Sequence, residues 1–247
     1  MMKNEIKRAV VVGATSGIGR EVAKLLLQDG WTLGVIGRRE ERLIEFQRLA
    51  PERIFICPLD ICQDKSDERL TNLIHEMGGM DLYFHSSGVG KQNVDLSVDI
   101  EIMTLETNGT GFVRMVTAAY RYFREQGRGH LAIISSIAGV KGLGVAPAYS
   151  ASKRFQNTYI DALEQLSRIR HIPITFTDIR PGFVATDLLS GSKSYPMLMN
   201  TEKVALQIFK ALRCKKRRVV IDWKYRILVF FWKLIPAWLW KRLPIHN

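Results

Sequence analysis

The stretch that most restricts the fold is a short β-branched run, Arg8 to Val12, which ends in Gly13-Ala-Thr-Ser-Gly17-Ile-Gly19 and passes into apolar residues at helical spacing from Arg20 to Gln28. Strand, glycine turn and helix in that order give a glycine pattern its meaning. The glycines permit a tight turn and let a ligand approach the backbone, while free N–H groups at the helix start attract a pyrophosphate. A plain strand-to-helix turn is the alternative use of the same residues.

The alternation continues. Strands are expected at Trp31 to Ile36, Arg53 to Pro58, Asp81 to His85, Gly129 to Ile134 and Arg217 to Asp222, with helices at Glu40–Leu49, Ser66–Glu76, Tyr149–Arg170 and Thr201–Arg213. Short connections between them point to a doubly wound parallel sheet that binds its ligand at the carboxyl ends of the strands. With 247 residues, 47% of them hydrophobic, one large α/β domain accounts for the chain. The stretch from Asp95 to Gln126 reads as mostly helical, yet Asn108-Gly-Thr-Gly111 sits in its middle. Such residues cost roughly 0.5–1 kcal/mol apiece in a helix relative to alanine. A kink that frees a backbone carbonyl, or close helix–sheet packing, would account for them.

Three groups of residues carry chemistry. Tyr149 and Lys153 are four residues apart, about one helical turn, so phenol and ammonium share a face. A neighbouring cation favours the phenolate and is expected to lower the tyrosine pKa from about 10. At the end of the second strand Gly37 stands where a ribose-binding acid would be, and Arg38 and Arg39 follow; that pattern suits a 2′-phosphate and NADP(H) over NAD(H). The fifth strand delivers the hydroxyls of Ser135 and Ser136 to the same edge. Other chemistries fall away. Cys57, Cys62 and Cys214 form no Cys-x2-Cys pair, and His75, His85, His130, His171 and His246 have no metal-ligand spacing, so no metal site is expected. A hydrolase would need Gly-x-Ser-x-Gly, whereas Ser136 lies in Ile134-Ser135-Ser136-Ile137. No nucleic-acid-binding motif is present.

Together these residues resemble the short-chain dehydrogenase/reductase family from about Lys7 to Asp222: Gly13-x3-Gly17-x-Gly19, Asp60 after the third strand, Asn108, Ser136, Tyr149-x3-Lys153, and Pro181-Gly182 followed by Thr186. The resemblance implies a single-domain Rossmann fold over residues 1–223, a seven-stranded parallel sheet with helices on both faces, and an apolar basic helical extension over 224–247. By the same resemblance, Ser136 would bind the substrate oxygen, Tyr149 would protonate it, Lys153 would lower the phenol pKa and hold the nicotinamide ribose, and Asn108 would anchor a proton-relaying water. NADP(H) would be contacted by Gly13, Ser16, Gly17, Ile18, Gly19, Arg38, Arg39, Asp60, Ile61, Ser87, Gly88, Asn108, Tyr149, Lys153, Pro181, Val184 and Thr186. Two departures stand out: Val12 where the family has threonine, and His85-Ser86-Ser87-Gly88 where Asn-Asn-Ala-Gly is usual. The implied activity interconverts a ketone and a secondary alcohol on a lipophilic substrate such as a 3-ketosphinganine-like keto-lipid or a hydroxysteroid. The alternatives are a 3-oxoacyl thioester reductase and a non-catalytic NADP(H)-binding, membrane-associated protein. The family further implies a homo-dimer or homo-tetramer built on the two long helices.

Beyond Thr186 the family places a substrate lid. Gly191 and the neighbouring serines suggest its hinge, and Leu188, Leu189, Tyr195, Met197, Leu198 and Met199 its apolar contacts. The charge of +12 is uneven: Arg213 to Asn247 carry +9, leaving +3 for the first 212 residues. From Tyr225 to Arg242 aromatic and apolar residues are flanked by basic ones, in a segment too short and too interrupted by Lys233 and Pro236 for a transmembrane span. Trp232, Trp238 and Trp240 suit an interfacial helix on an anionic membrane; a subunit or pocket contact is the alternative. The charged amino terminus and the free cysteines lead to the expectation of a cytoplasmic protein, peripheral at the inner face of a membrane.

Overall fold

All but the first residue of β1 (Arg8–Val12) are buried, and its side chains divide between two cores. Ala9 and Val11 pack with Val22 and Leu26 of α1 (Gly17–Gln28), Leu43 and Phe46 of α2 (Glu40–Gln47) and Val204, Ile208 and Leu212 of α7 (Thr201–Arg213). Val10 and Val12 pack with Leu70 and Leu73 of α3 (Ser66–Glu76), Phe112 and Met115 of α5 (Phe112–Gln126) and Ile160 of α6 (Pro147–Ile169). Period-two side chains, apolar on both faces, are what a parallel strand covered by helices requires. The structure, a computed structural model, describes residues 7–187 and 195–245.

Among the described residues the sheet has seven parallel strands in the order β3-β2-β1-β4-β5-β6-β7. The others are β2 (Thr32–Gly37), β3 (Ile54–Pro58), β4 (Leu82–His85), β5 (Gly129–Ile134), β6 (Ile174–Arg180) and β7 (Arg218–Val220). The order reverses between β1 and β4, which opens a crevice at their carboxyl ends. The last strand is shorter than its apolar pattern: pairing with β6 stops at Val220, and Asp222, at positive φ, caps the next helix instead.

The expected long helix is three pieces, α4 (Val98–Leu105), a π turn (Glu106–Gly111) and α5. A π turn leaves a carbonyl unpaired by its own helix, which is the kink read from Asn108 and its glycines. Burying Phe112 and Phe123 completely contributes about 2–3 kcal/mol each, more than the glycines cost, so packing carries the helix through the break. Gly111 also permits close approach, because a Cβ there would lie 2.9 Å from the Ile61 side chain.

Beyond β7, α8 (Trp223–Leu234) and α9 (Ala237–Trp240) fold back over the carboxyl edge. Tyr225 and Val229 of α8 join Ile137, Phe183 and Trp232 in a third, small apolar cluster. The Tyr225 hydroxyl accepts from Phe183 N (3.1 Å) and faces the carbonyls of Pro196 (3.1 Å) and Met197 (3.2 Å). Trp240 is buried and its indole donates to Gly142 O at 2.7 Å, while Trp232 packs edge-on against it. Two of the three tail tryptophans expected at a headgroup zone therefore face the body. The exposed indoles are Trp238 and Trp223, the latter at the very start of α8. Among the described residues no helix is long and apolar enough to cross a membrane.

Candidate active site

The crevice is lined by the turns that leave successive strands. After β1, Gly13 adopts φ +88°, and a Cβ there would lie 2.7 Å from Ser87 N in the turn after β4, so the two turns touch only because residue 13 is glycine. Gly17, at φ +55°, and Gly19 complete the start of α1, with Ser16 and Ile18 partly exposed between them. Thr186 reaches back over this turn, its methyl 3.2 Å from where a Gly17 Cβ would be. The backbone N–H groups of the helix start thus face an open, glycine-lined cradle that fits a pyrophosphate.

At the end of β2 a side chain at residue 37 would meet the Thr15 methyl at 2.5 Å, which excludes an acid from that place. Arg39 lies across the glycine turn instead, donating to Ser16 Oγ (2.6 Å) and Thr15 Oγ1 (3.0 Å) and pairing with Asp187 (3.3 Å). The Ser16 hydroxyl and Arg39 hold the Asp187 carboxyl below its ordinary pKa. Arg38 is 71% exposed, with one loose ion pair, 3.9 Å, to Asp60. Asp60 accepts from Cys62 N (3.0 Å) with its other oxygen, and Ile61 is buried beside it.

Deeper in the crevice Ser136 and Tyr149 meet. Ser136 follows β5, 6% exposed, its hydroxyl accepting from Ala138 N at 3.1 Å. Tyr149, in the first turn of α6, packs against Gly90, where a Cβ would lie 2.7 Å from the ring. Burial pushes the phenol pKa above its ordinary value, and the Ser136 hydroxyl offsets part of that rise. The net shift is thus upward, against the lowering expected from the sequence, and Lys153 is not among its causes. The ammonium of Lys153 sits 5.8 Å from the Tyr149 ring centroid and donates to Ile134 O (3.1 Å) and Gln156 Oε1 (3.0 Å). Burial pushes Lys153 down to about 8, against the pull of the Asp178 carboxylate.

Asn108 is fully buried in the π turn. Its side chain clamps the strand β4 turn, accepting from Val89 N (2.9 Å) and donating to Val89 O (2.7 Å) and Ser152 Oγ (3.1 Å). Gly88 runs through the gap between them: a Cβ there would lie 3.1 Å from Asn108 Oδ1 and 3.5 Å from Lys153 Nζ. The backbone carbonyl of Asn108 accepts from Gln156 Nε2 at 2.9 Å. Next door, His85 is buried, bonds Tyr83 through Nδ1 (2.8 Å) and is held neutral, its pKa near 3, by desolvation and by the Lys153 charge. It is therefore an uncharged imidazole at neutral pH. Pro181, buried after β6, accepts from Ile137 N (3.1 Å), and Val184 bridges Met199, which closes the base of the loop that ends at Thr186.

A profile of the short chain dehydrogenase family matches residues 7–195. The chain belongs to the short chain dehydrogenase family. Membership makes it an NAD(P)-dependent oxidoreductase. It is 31% identical to an uncharacterized oxidoreductase of Myxococcus xanthus, over 96% of this chain and 95% of that protein. It is 29% identical to dehydrogenase/reductase SDR family member 7B of Xenopus tropicalis, over 86% of this chain and 76% of that one. Its fold matches a short chain dehydrogenase of Burkholderia cenocepacia, solved in complex with NADP, with a TM-score of 0.83, 18% identity and coverage of 99% and 100%.

In this short chain dehydrogenase the residues named from sequence converge on one crevice: Gly13, Ser16, Gly17, Ile18, Gly19, Arg38 and Arg39 on one flank, Ser136, Tyr149, Lys153 and Asn108 on the other. Gln156 was not foreseen. Its signal was present, since three residues after Lys153 on a helix is the same face. Tyr225 was also missed as a body residue; it lies within the segment first read as a separate extension. Leu188, Leu189 and Gly191 with its neighbouring serines lie outside the described residues. Of the other lid residues, Tyr195 lies tilted against Phe183 with ring centroids 5.0 Å apart, and Met197 and Leu198 are exposed. A cavity of about 620 Å³ opens between residues 139–144 and Pro147, Ser150, Ala151 and Arg154, on the side of α6 turned away from Tyr149 and Lys153, so it is not the reaction cleft.

Proposed function

We propose that the chain is an NADPH-dependent carbonyl reductase, equivalently an alcohol dehydrogenase, that interconverts a ketone and a secondary alcohol on a lipophilic substrate. The carrying observation is the placement of Ser136, Tyr149 and Lys153 at one point of the crevice, with Asn108 behind them. When bound, the nicotinamide supplies the hydride. The protein's part is to orient the carbonyl and steady the oxygen on which charge develops.

A phenol kept above its ordinary pKa is protonated at neutral pH and ready to act as an acid, so Tyr149 delivers its proton to the carbonyl oxygen while Ser136 holds the same atom. Lys153 stands beside them as a desolvated cation that steadies the phenolate left behind and meets the ribose. Gly13, Gly17 and Gly19 give the pyrophosphate its approach, with Ser16 and Ile18 beside it. Asp60, Ile61, Ser87 and Gly88 line the adenosine end, Pro181, Val184 and Thr186 the nicotinamide end. Arg38 and Arg39, beside an uncharged Gly37, favour the 2′-phosphate of NADPH, and NADP in the Burkholderia cenocepacia relative is consistent with that choice.

A lipophilic substrate suits the wall formed by Ile137, Val140, Phe183 and Trp232. A keto-lipid fits the tail as well, because Trp223, Ile227, Phe230 and Leu234 form an exposed apolar stripe on α8, flanked by Lys224, Arg226 and Lys233. The exposed side chains of Val98, Ile102, Leu105 and Phe155 on α4 and α6 suit a homo-oligomer. The test is Tyr149→Phe, followed by NADPH oxidation over keto-sphingoid, steroid and oxoacyl substrates. Loss of about 10²–10⁴ in kcat with NADPH binding retained is expected; a variant as active as the wild type removes the mechanism.

A further inference from the structure

Beside the Tyr149 phenol and the Lys153 ammonium lies a buried polar side chain outside the catalytic set, Gln156. Gln156 is completely buried, and both ends of its amide are used: Nε2 donates to Asn108 O at 2.9 Å and Oε1 accepts from Lys153 Nζ at 3.0 Å. The orientation is forced, because a backbone carbonyl can only accept and an ammonium can only donate. The two partners come from different elements. Asn108 lies in the π turn that interrupts the long helix, and Lys153 lies one turn before Gln156 on α6.

We infer that Gln156 is a positioning residue for Lys153: its amide ties the ammonium to the backbone carbonyl of Asn108 and so fixes where that charge stands in the crevice. Two of the three ammonium donors are then spent on Ile134 O and Gln156 Oε1, and no bond among the described residues takes the third. That remaining N–H is the one free to meet a ligand or the phenolate. Without Gln156 the ammonium would lose an acceptor in a desolvated site, and Asn108 O would lose its donor. Both losses are costly where water is excluded.

Three titratable groups bear on Lys153 besides Gln156's neutral amide. Tyr149 lies on the same helix, the neutral His85 on β4, and Asp178 on β6. Asp178 is itself bonded by Ser135 (2.5 Å) and by Arg180 (2.6 and 2.8 Å), so its carboxylate is held in place independently of residue 156.

The inference rests on the proposed role of Lys153, and the experiment separates the two. The full chain is labelled with 13C-lysine, and the ε-methylene of Lys153, identified by its loss in Lys153→Arg, is titrated by NMR with no substrate or cofactor. Gln156→Met keeps the volume and removes both hydrogen bonds; the titration midpoint should fall by about one unit or more, as the charged form loses an acceptor. Gln156→Glu keeps the length and adds a negative charge, and the midpoint should rise. A residue that only filled space would leave the midpoint unmoved in Gln156→Met, which keeps the volume. Thermal melts check the fold, and should Gln156→Met fail to fold, Gln156→Leu, which also removes both hydrogen bonds, takes its place. Midpoints within about 0.3 unit of the wild type overturn the inference. A chain that reduced no ketone would leave this result standing. With an accepted ketone, the pH midpoint of kcat/KM should move in the same sense as the lysine.

Discussion

Replacing Arg39 by alanine should weaken NADPH more than replacing Arg38, and should leave NADH almost untouched. Arg38 is 71% exposed and its one ion pair spans 3.9 Å, so it can turn to a phosphate at little cost but acts through water. Such an exposed contact is worth about 1 kcal/mol, about fivefold in affinity. Arg39 is better placed, since Ser16 and Thr15 already hold its guanidinium across the glycine turn. A charge-assisted contact from a held guanidinium contributes about 2 kcal/mol, or about thirtyfold. Its loss also exposes the ligand to Asp187, whose carboxylate Arg39 now pairs. Folding should suffer little, because Ser16 and Asp187 can reach water and only the buried Thr15 hydroxyl loses a donor. The measurement is fluorescence titration of NADPH and NADH with wild type and both variants, at low and high salt, the NADPH effects shrinking as salt screens them. Equal weakening of both nucleotides, or a wild type that binds NADH more tightly, would refute the reasoning.

Three further outcomes follow from the same contacts. Tyr225→Phe keeps the ring against Gly182 but strands Phe183 N and frees the carbonyls of Pro196 and Met197; a loss of about 2 kcal/mol is expected, read as a fall in Tm of about 4–8 °C, and an unchanged melt would contradict the anchoring role. Lys153 has its pKa depressed to about 8 from 10.5, so the unfolded chain binds more protons between those values and stability from this group rises with pH across that window. Denaturant unfolding of wild type against Lys153→Met should therefore shift in favour of the wild type by up to about 3 kcal/mol between pH 8 and 10.5, and a constant difference would refute the burial of that charge. Membrane contact is tested by sedimentation with anionic vesicles, using Phe230→Ser with Trp238→Ser rather than deletion, since removing α8 would also remove Tyr225 from the core; full-length chain that never pellets rules the contact out.

Much of the candidate site was legible because its residues sit at fixed offsets from elements with strong local patterns. Ser136 follows the apolar run of β5, and Tyr149 and Lys153 share a face by helical period alone. Arg38 and Arg39 were legible as residues at a strand end, but the hold of Ser16 and Thr15 on Arg39 alone was not. The direction of the Tyr149 shift was misread because the one-turn rule counts a neighbouring charge and not the depth at which the phenol is buried. Burial is the larger cause of the shift here, and the lowering comes from the Ser136 hydroxyl. Likewise Trp232 and Trp240 looked like two more interfacial indoles, until the Gly142 carbonyl gave Trp240 a buried partner.

By itself the sequence determined the alternation of strands and helices, the doubly wound sheet, and which residues would arrive at its carboxyl edge. Those follow from periodicity and turn chemistry within a few residues of chain. Tertiary structure alone decided the hydrogen bonds between distant parts: Gln156 to Asn108 across 48 residues, Arg39 to Asp187 across 148, Trp240 to Gly142 across 98. Local pattern cannot choose such partners, because which donor meets which carbonyl depends on how whole helices pack against the sheet. In that packing the ammonium of Lys153 turned to an amide that no motif had named.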